Sequence, residues 1–367
     1  MLLLIPLALV AVIAASSPQA AAVVVRNTPE VGWLARVLPA PPLVRSVEAT
    51  PGDASQTGAL YVPHGQGQWP GVLLVNGAEV PGGWRSPEVE TFARSIADLG
   101  LAVYVPDLPG FEGGSLTLQA LDALRQDLTW FSQSPHVRDR RVSLVGVCVG
   151  GSLGIVLAEQ PGTSHNVHSV VAIDPYSSIR NSVQAATTGQ APGREGGLQS
   201  FQMEPWVRAA MVRSLSSTIT DQPSRAAVLR ALAASPEDDP LRAFQSAPPE
   251  GLSPAATAWW RLLGNRDPAQ FEALYAAQPA QVRDDLEMLS PASNISELSV
   301  PVLIAAPYHD FAFPPGDAGE LQRGNPEYVR LTRTSALDHV TPTVSPLVLR
   351  DYWELWRFAA SGIAALR

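Results

Sequence analysis

The chain has 367 residues, of which 46% are hydrophobic and 16% are charged, so it is long and apolar enough for one large folded domain or two average ones. This composition argues against global disorder. The formal net charge is −9 at pH 7, and all 25 basic residues are arginine, which argues against nucleic acid as a partner.

The N-terminus has the pattern of a targeting segment. Residues 2–14 form an uninterrupted apolar run, and small residues follow it. A run of this length fits the core of a signal peptide better than a membrane span, which needs about 20 apolar residues. However, no Lys or Arg precedes the run, and an apolar stretch continued to Val25 would serve as a retained anchor. We therefore expect residues 1–25 to be a signal peptide or an N-terminal membrane anchor, and the protein to be extracytoplasmic, either secreted or attached to the membrane through residues 2–25.

Strand and helix patterns alternate between residues 43 and 173. The predicted strands are 43–48, 59–62, 71–75, 101–105, 141–145 and 167–173. The predicted helices are 86–99, with Ser86 as its N-cap, 116–132 and 149–159. Apolar, β-rich runs separated by helices predict an α/β fold with a mostly parallel sheet flanked by helices. We assign residues 26–176 to the first part of this core.

The alternation stops between residues 177 and 298, where no strand is predicted. The segment contains five helical patches, at 205–214, 224–234, 255–263, 268–277 and 280–289. A simple crossover needs only about a dozen residues. The segment is far longer and rich in aromatic and aliphatic residues, so we expect a helical lid inserted between strands 6 and 7.

The core resumes at residues 299–367, its second part. The predicted elements there are strands 301–305 and 328–332 and helices 317–322 and 347–364.

The turn Gly146-Val147-Cys148-Val149-Gly150 is the strongest local signal. It lies between a predicted strand and a predicted helix, and it matches the nucleophile elbow G-x-S-x-G with cysteine in place of serine. Glycines two residues before and two after the nucleophile leave room for close backbone approach. The thiol is thereby placed at a helix N-terminus, where N–H groups and the helix dipole favour a thiolate.

A rival match is Gly150-Gly151-Ser152-Leu153-Gly154, which fits the same pattern. Ser152 lies one helical turn beyond the end of the strand, where no strand-to-helix bend is available. We therefore favour Cys148 as the nucleophile, because the motif counts only in its strand–turn–helix context. The alternative is that Cys148, the chain's one cysteine, only packs in the core as a small buried apolar residue.

With this elbow and this order of elements, the chain resembles the α/β-hydrolase superfamily over about residues 43–365. Its cysteine nucleophile makes it similar to the dienelactone-hydrolase-like branch. The resemblance implies that a catalytic acid and a histidine follow the nucleophile in that order.

The resemblance places both partners in the second part of the core. An aspartate just after strand 301–305, with a proline a few residues on, would be Asp310. Asp174, at the end of the preceding strand, is the reserve for this role. A histidine in the loop after strand 328–332 would be His339. The alternative is that His339 is an ordinary surface residue of this loop.

The resemblance also implies two backbone donors for an oxyanion. One would be the N–H of Val149 and the other the N–H of Ala78, in the loop after strand 71–75. Asn76 stands in this loop where the family usually has histidine. Glu79 would put a carboxylate near the hole, where it either faces substrate or is solvated.

These roles amount to covalent catalysis, in which His339 accepts the thiol proton, Asp310 orients the imidazole and Cys148 attacks a carbonyl to form an acyl-enzyme. We expect a hydrolase of carboxylic ester, lactone or thioester bonds with a small-molecule ester or acyl substrate and no cofactor. An acyltransferase on the same fold stays open, as does a non-catalytic, hydrolase-like envelope binding protein.

Two further expectations concern the lid and metals. Four lid aromatics either line an acyl pocket or pack the lid helices: Trp206, Trp259, Trp260 and Tyr275. The histidines match no metal-binding spacing, so we expect no catalytic metal.

Overall fold

The computed structural model describes residues 17–27, 46–49, 57–78, 80–342 and 349–367. Within these ranges the strands are β1 (Ser46–Ala49), β2 (Gly58–Pro63), β3 (Trp69–Val75), β4 (Ala102–Pro106), β5 (Val137–Val147), β6 (Val167–Ile173), β7 (Gln190–Pro192), β8 (Leu198–Ser200), β9 (Val302–Pro307), β10 (Val329–Thr334), β11 (Leu337–Asp338) and β12 (Thr341–Pro342). The helices are α1 (Pro18–Arg26), α2 (Pro87–Ala97), α3 (Leu118–Ser132), α4 (Val149–Glu159), α5 (Ile179–Thr188), α6 (Pro205–Ser216), α7 (Gln222–Ala234), α8 (Pro254–Leu263), α9 (Pro268–Ala276), α10 (Ala280–Met288), α11 (Asp317–Gly324) and α12 (Leu349–Ala365).

One eight-stranded sheet, in the order β1-β2-β4-β3-β5-β6-β9-β10, forms the centre of the described fold. β1 pairs with β2 and β2 with β4 in antiparallel fashion, and every other neighbouring pair is parallel. The predicted α/β fold with a mostly parallel sheet is confirmed. The inner strands β3, β4 and β9 are buried along most of their length because helices cover both faces.

The two faces of the sheet carry separate cores. Alternate residues of β3 show this, since Leu73 packs into one core and Leu74 into the other. The first core takes in α3, α4 and much of the segment between β6 and β9. The second takes in α1, α2 and α12.

The segment between β6 and β9 is largely helical, as the sequence predicts, and holds α5 to α10. The expectation that it contains no strand is wrong in one detail, because β7 and β8 form a small antiparallel hairpin. Each of these strands has three residues, too few for an alternating pattern to stand out. The sequence also does not predict helix α5.

Helix α1 packs against the folded domain. Ala20 and Val25 are buried, Arg26 forms an ion pair with Asp98 at 2.8 Å, and the Asn27 amide lies against α2. Residues 1–16, which carry the predicted apolar run, lie outside the described residues, so the targeting role and the extracytoplasmic location stay predictions. Among the helices that the structure describes, none has the length and apolar character needed to cross a bilayer.

Glu159, at the end of α4, is a buried glutamate. Its side chain is 4% exposed, and its Oε1 has no hydrogen-bond partner among the described residues. Burial raises the pKa of Glu159 to about 9. The folded chain therefore holds a proton that the unfolded chain releases above about pH 4.5.

We expect this group to make stability fall as pH rises from about 4.5 towards 9, by up to about 1.4 kcal/mol per pH unit. Glu159→Gln should flatten that slope, because the amide has no proton to lose. Urea unfolding at pH 5, 7 and 9 measures the effect, and Glu297→Gln, at an exposed glutamate, is the control. An unchanged slope in Glu159→Gln would contradict the assignment.

Candidate active site

Cys148 lies on the sharp turn between β5 and α4. Its φ and ψ are 56° and −129°, a region that favours glycine, and its N–H donates to the carbonyl of Ile173 at 2.8 Å. A Cβ on Gly146 would lie 2.5 Å from the Gly150 oxygen, and one on Gly150 would lie 2.4 Å from the Val75 oxygen. The two glycines are thus needed for the close approach that the motif predicts, and the strained turn lifts the thiol above the sheet.

Ser152, the rival nucleophile, points into the protein. Its side chain is fully buried, and its hydroxyl donates to the carbonyl of Tyr176 at 3.1 Å. Cys148 is only partly buried and lines a cavity. Access to a substrate therefore distinguishes the two residues in favour of Cys148.

His339 follows β11 and meets two carboxylates at one ring nitrogen. Its Nδ1 lies 2.7 Å from Asp174 Oδ2 and 3.0 Å from Asp310 Oδ1. The sequence predicts Asp310 as the acid, with Asp174 as the reserve, whereas the structure brings both carboxyl groups to the same atom of His339. The reason is the sheet order: β6 and β9 are neighbours, so the residues at their carboxyl ends lie side by side.

The two carboxyl groups have different surroundings. Asp310 accepts backbone hydrogen bonds from Phe311 at 2.8 Å, Ala312 at 3.2 Å and Phe313 at 2.7 Å. Burial alone would raise the pKa of Asp310, but the hydrogen bond and charge of His339 and these backbone donors lower it. Among the residues that the structure describes, no such set of backbone donors reaches Asp174. Burial, followed by the charge of Asp310, raises the pKa of Asp174 well above the usual value. The negative charge therefore resides on Asp310.

The imidazole of His339 favours its charged form. Burial opposes protonation, but the charge of Cys148 and hydrogen bonds with Asp174, Asp310 and Cys148 raise the pKa of His339 well above its usual value. Because Nδ1 faces the carboxylates, Nε2 is the ring nitrogen left to interact with Cys148. The ring of Phe311 lies 5.1 Å from the imidazole, centroid to centroid, and shields it from water.

The loop after β3 lies against the thiol. A Cβ on Gly77 would stand 3.3 Å from the Cys148 Cβ, and Ala78 lines the same cavity as Cys148 and Val149. Asn76 is buried and its amide donates to the Gly77 carbonyl at 2.8 Å, so the residue in the family's histidine position holds the loop in shape. These positions suit the predicted oxyanion donors, Ala78 and Val149. Glu79 lies outside the described residues.

A largely apolar cavity of about 330 Å³ opens from Cys148 towards the segment between β6 and β9. Of the four aromatics considered from the sequence, Trp206 lines this cavity and is 44% exposed. Trp259 and Trp260 are buried, with their indole N–H groups donating to Thr218 and to Ser246. The remaining aromatic, Tyr275, packs on a phenylalanine of the same helix.

The donor atoms of Asp174, Asp310 and His339 lie within 4.8 Å of one another, close enough to hold a metal ion. Hydrogen bonds already account for this closeness, because each carboxylate contacts Nδ1. We therefore interpret the group as acids and a base.

No curated protein matches the chain in sequence. Among solved structures, it is similar to the thermophilic carboxylesterase EstE1 from a metagenomic library, with 18% identity, a TM-score of 0.47 and coverage of 89% of this chain and 90% of that one. An esterase from the archaeon Pyrobaculum calidifontis has 17% identity, a TM-score of 0.47 and coverage of 89% and 85%. An acylaminoacyl peptidase in complex with a chloromethyl ketone has 12% identity, a TM-score of 0.49 and coverage of 86% of this chain, which spans 40% of the peptidase.

These structural similarities are low, so the assignment of the chain to a protein family rests on its sequence. The sequence model of the alpha/beta hydrolase fold family matches residues 59–341, a range that runs from β2 past His339 and includes the elbow and both aspartates. The chain therefore belongs to the α/β hydrolase fold family.

Proposed function

We propose that this protein is a hydrolase of the carboxylic-ester type, acting on an ester, lactone or thioester through the nucleophile Cys148. The observation that carries the proposal is the position of Cys148: it sits on a strained turn, lies close enough to His339 to raise the pKa of the imidazole, and opens on an apolar cavity. A buried structural cysteine would need none of these three features. The cysteine at the elbow also supports a place near the dienelactone-hydrolase-like branch.

The geometry supports the following reaction. With its proton held by His339 Nε2, the Cys148 sulfur attacks the substrate carbonyl carbon, and the N–H groups of Val149 and Ala78 stabilise the oxyanion. Collapse of this intermediate breaks the bond to the leaving group, which takes the proton from His339. A water molecule then gives a proton to His339 and attacks the thioester, and the acid product leaves as Cys148 recovers its original state.

The cavity indicates the acyl portion of the substrate. Apolar side chains of α6 and α10 make up much of its wall, among them Met211, Leu215 and Leu286. A cavity of about 330 Å³ with this lining favours an aliphatic or aromatic acyl group over a charged one.

Turnover of p-nitrophenyl esters and of an acyl thioester by the purified protein tests the proposal. We expect a burst of p-nitrophenol and an acyl adduct on the Cys148 peptide, visible by mass spectrometry and removed by hydroxylamine. Alkylation by iodoacetamide should abolish both. Turnover that survives complete alkylation would rule out the thiol mechanism, and the absence of turnover, adduct and alkylation would favour a non-catalytic binding protein.

A further inference from the structure

We propose that Asp174 is a second positioning residue of the site, and that Asp174 and Asp310 hold His339 as a pair sharing one proton. This inference rests on the proposed function, because the imidazole they hold is the one that serves Cys148. It differs from a triad with a single acid, in which one aspartate contacts the histidine and its neighbour is a bystander.

The distances place both carboxyl groups in the same role. Asp174 Oδ2 and Asp310 Oδ1 contact Nδ1 of His339 at 2.7 and 3.0 Å, and both side chains are almost completely buried. Two carboxylates this close in a buried site do not both stay ionised at neutral pH. They titrate as a pair and keep one proton between them.

The hydrogen bonds decide where that proton lies. Three backbone N–H groups point at Asp310 and stabilise its charged form. The shared proton is therefore assigned to Asp174, whose Oδ2 accepts from Nδ1 of His339. The charge of Asp174 also acts on the guanidinium of Arg333 in β10. Among the described residues, however, Arg333 and Asp174 form no ion pair.

The backbone gives independent support. Asp174 has φ of 49°, Cys148 has 56° and His339 has 52°, and these are three of the five non-glycine residues with positive φ among the described residues. Strained residues cluster where the surrounding structure holds reacting groups in place. The N–H of Asp174 donates to the carbonyl of Ala305 at 2.7 Å, which anchors this strained residue to β9 beside the Asp310 loop.

If Asp174 and Asp310 share one proton, each can partly replace the other as the partner of His339. If Asp310 loses its charge by substitution, the repulsion that keeps Asp174 protonated disappears, and Asp174 becomes the carboxylate that balances His339. If Asp174 becomes asparagine, its amide still accepts from Nδ1 and donates to Asp310. Removing both carboxyl groups leaves no anion for the imidazolium.

The test compares kcat/KM for Asp174→Asn, Asp310→Asn and the double variant. We expect decreases of about 3-fold and about 10-fold for the single variants and about 10,000-fold for the double, far more than the product of the two. The control is Asp127→Asn, at a buried aspartate near Tyr104 and outside the site, which should leave kcat/KM unchanged. The full loss in Asp310→Asn alone, with no further loss on adding Asp174→Asn, would overturn the proposal in favour of a single acid. A loss of kcat/KM in Asp174→Asn alone as large as that in the double variant would also overturn the proposal.

The pH dependence of Cys148 alkylation by iodoacetamide tests the pair without any substrate. In the wild type and in each single variant, a raised His339 pKa should keep the alkylation rate nearly flat from mildly acidic to mildly alkaline pH. In the double variant the rate should rise with pH, as it does for an ordinary thiol. Such a rise in Asp310→Asn alone would overturn the proposal even if the double variant did not fold. A flat wild-type profile without ester turnover would contradict the proposed function and leave the pair intact.

Discussion

Replacing Cys148 with alanine is expected to lower kcat/KM for a p-nitrophenyl ester by about 10,000-fold or more. In the proposed reaction the Cys148 sulfur both attacks the carbonyl and exchanges a proton with His339, so the substitution removes the nucleophile. What would survive is binding in the apolar cavity and stabilisation by the backbone donors. Steady-state kinetics on the purified variant, with its folding checked by thermal unfolding, measures the loss.

Ser152→Ala is the matched control, because Ser152 lies four residues further along in the second match to the elbow pattern. Its hydroxyl donates to the Tyr176 carbonyl in the core, so we expect a loss of stability of about 1 kcal/mol and a change in kcat/KM of no more than a few-fold. An active Cys148→Ala protein beside an inactive Ser152→Ala protein would reverse the assignment of the nucleophile.

Gly150→Ala is expected to lower the free energy of unfolding by about 3 kcal/mol. The new Cβ would lie 2.4 Å from the Val75 oxygen and 2.7 Å from the Asn76 oxygen, and both are backbone atoms that move only with their strand and loop. This movement would carry Ala78 away from Cys148. We therefore also expect kcat to fall by about 100-fold in the protein that still folds, the effect of losing one oxyanion donor.

Gly154→Ala separates this effect from the general consequence of placing alanine in α4. Its Cβ would meet Leu144 and Val170 at 3.6 Å, an ordinary contact, so the unfolding free energy should change by less than about 1 kcal/mol. Urea unfolding of both variants, with ester turnover alongside, measures the contrast. Equal stability of the two variants would show that the elbow tolerates a side chain at position 150.

Local patterns predicted much of the core because neighbouring residues decide them. Helix α4 and strand β6 have the bounds that their apolar runs predict. Ser86 is the N-cap of α2, as expected, with its hydroxyl accepting from the Val89 N–H at 3.2 Å. The elbow was also readable, because glycines two residues on each side of Cys148 meet a steric demand of the turn itself.

Longer-range arrangements could not be read in this way. The meeting of both aspartates at His339 depends on β6 and β9 becoming neighbours, although the long helical segment separates these strands in the chain. Which tryptophan lines the cavity depends on how α6 and α8 pack, since both helices carry exposed and buried faces.

The amino-acid sequence by itself thus determined the parallel core, the elbow and Cys148 as the candidate nucleophile, because each follows from short-range periodicity and backbone sterics. Only the tertiary structure decided that two carboxyl groups share one imidazole and that Ser152 is inaccessible. Both of these facts arise where distant segments of the chain meet, and burial and electrostatic repulsion there depend on atoms that no local pattern contains.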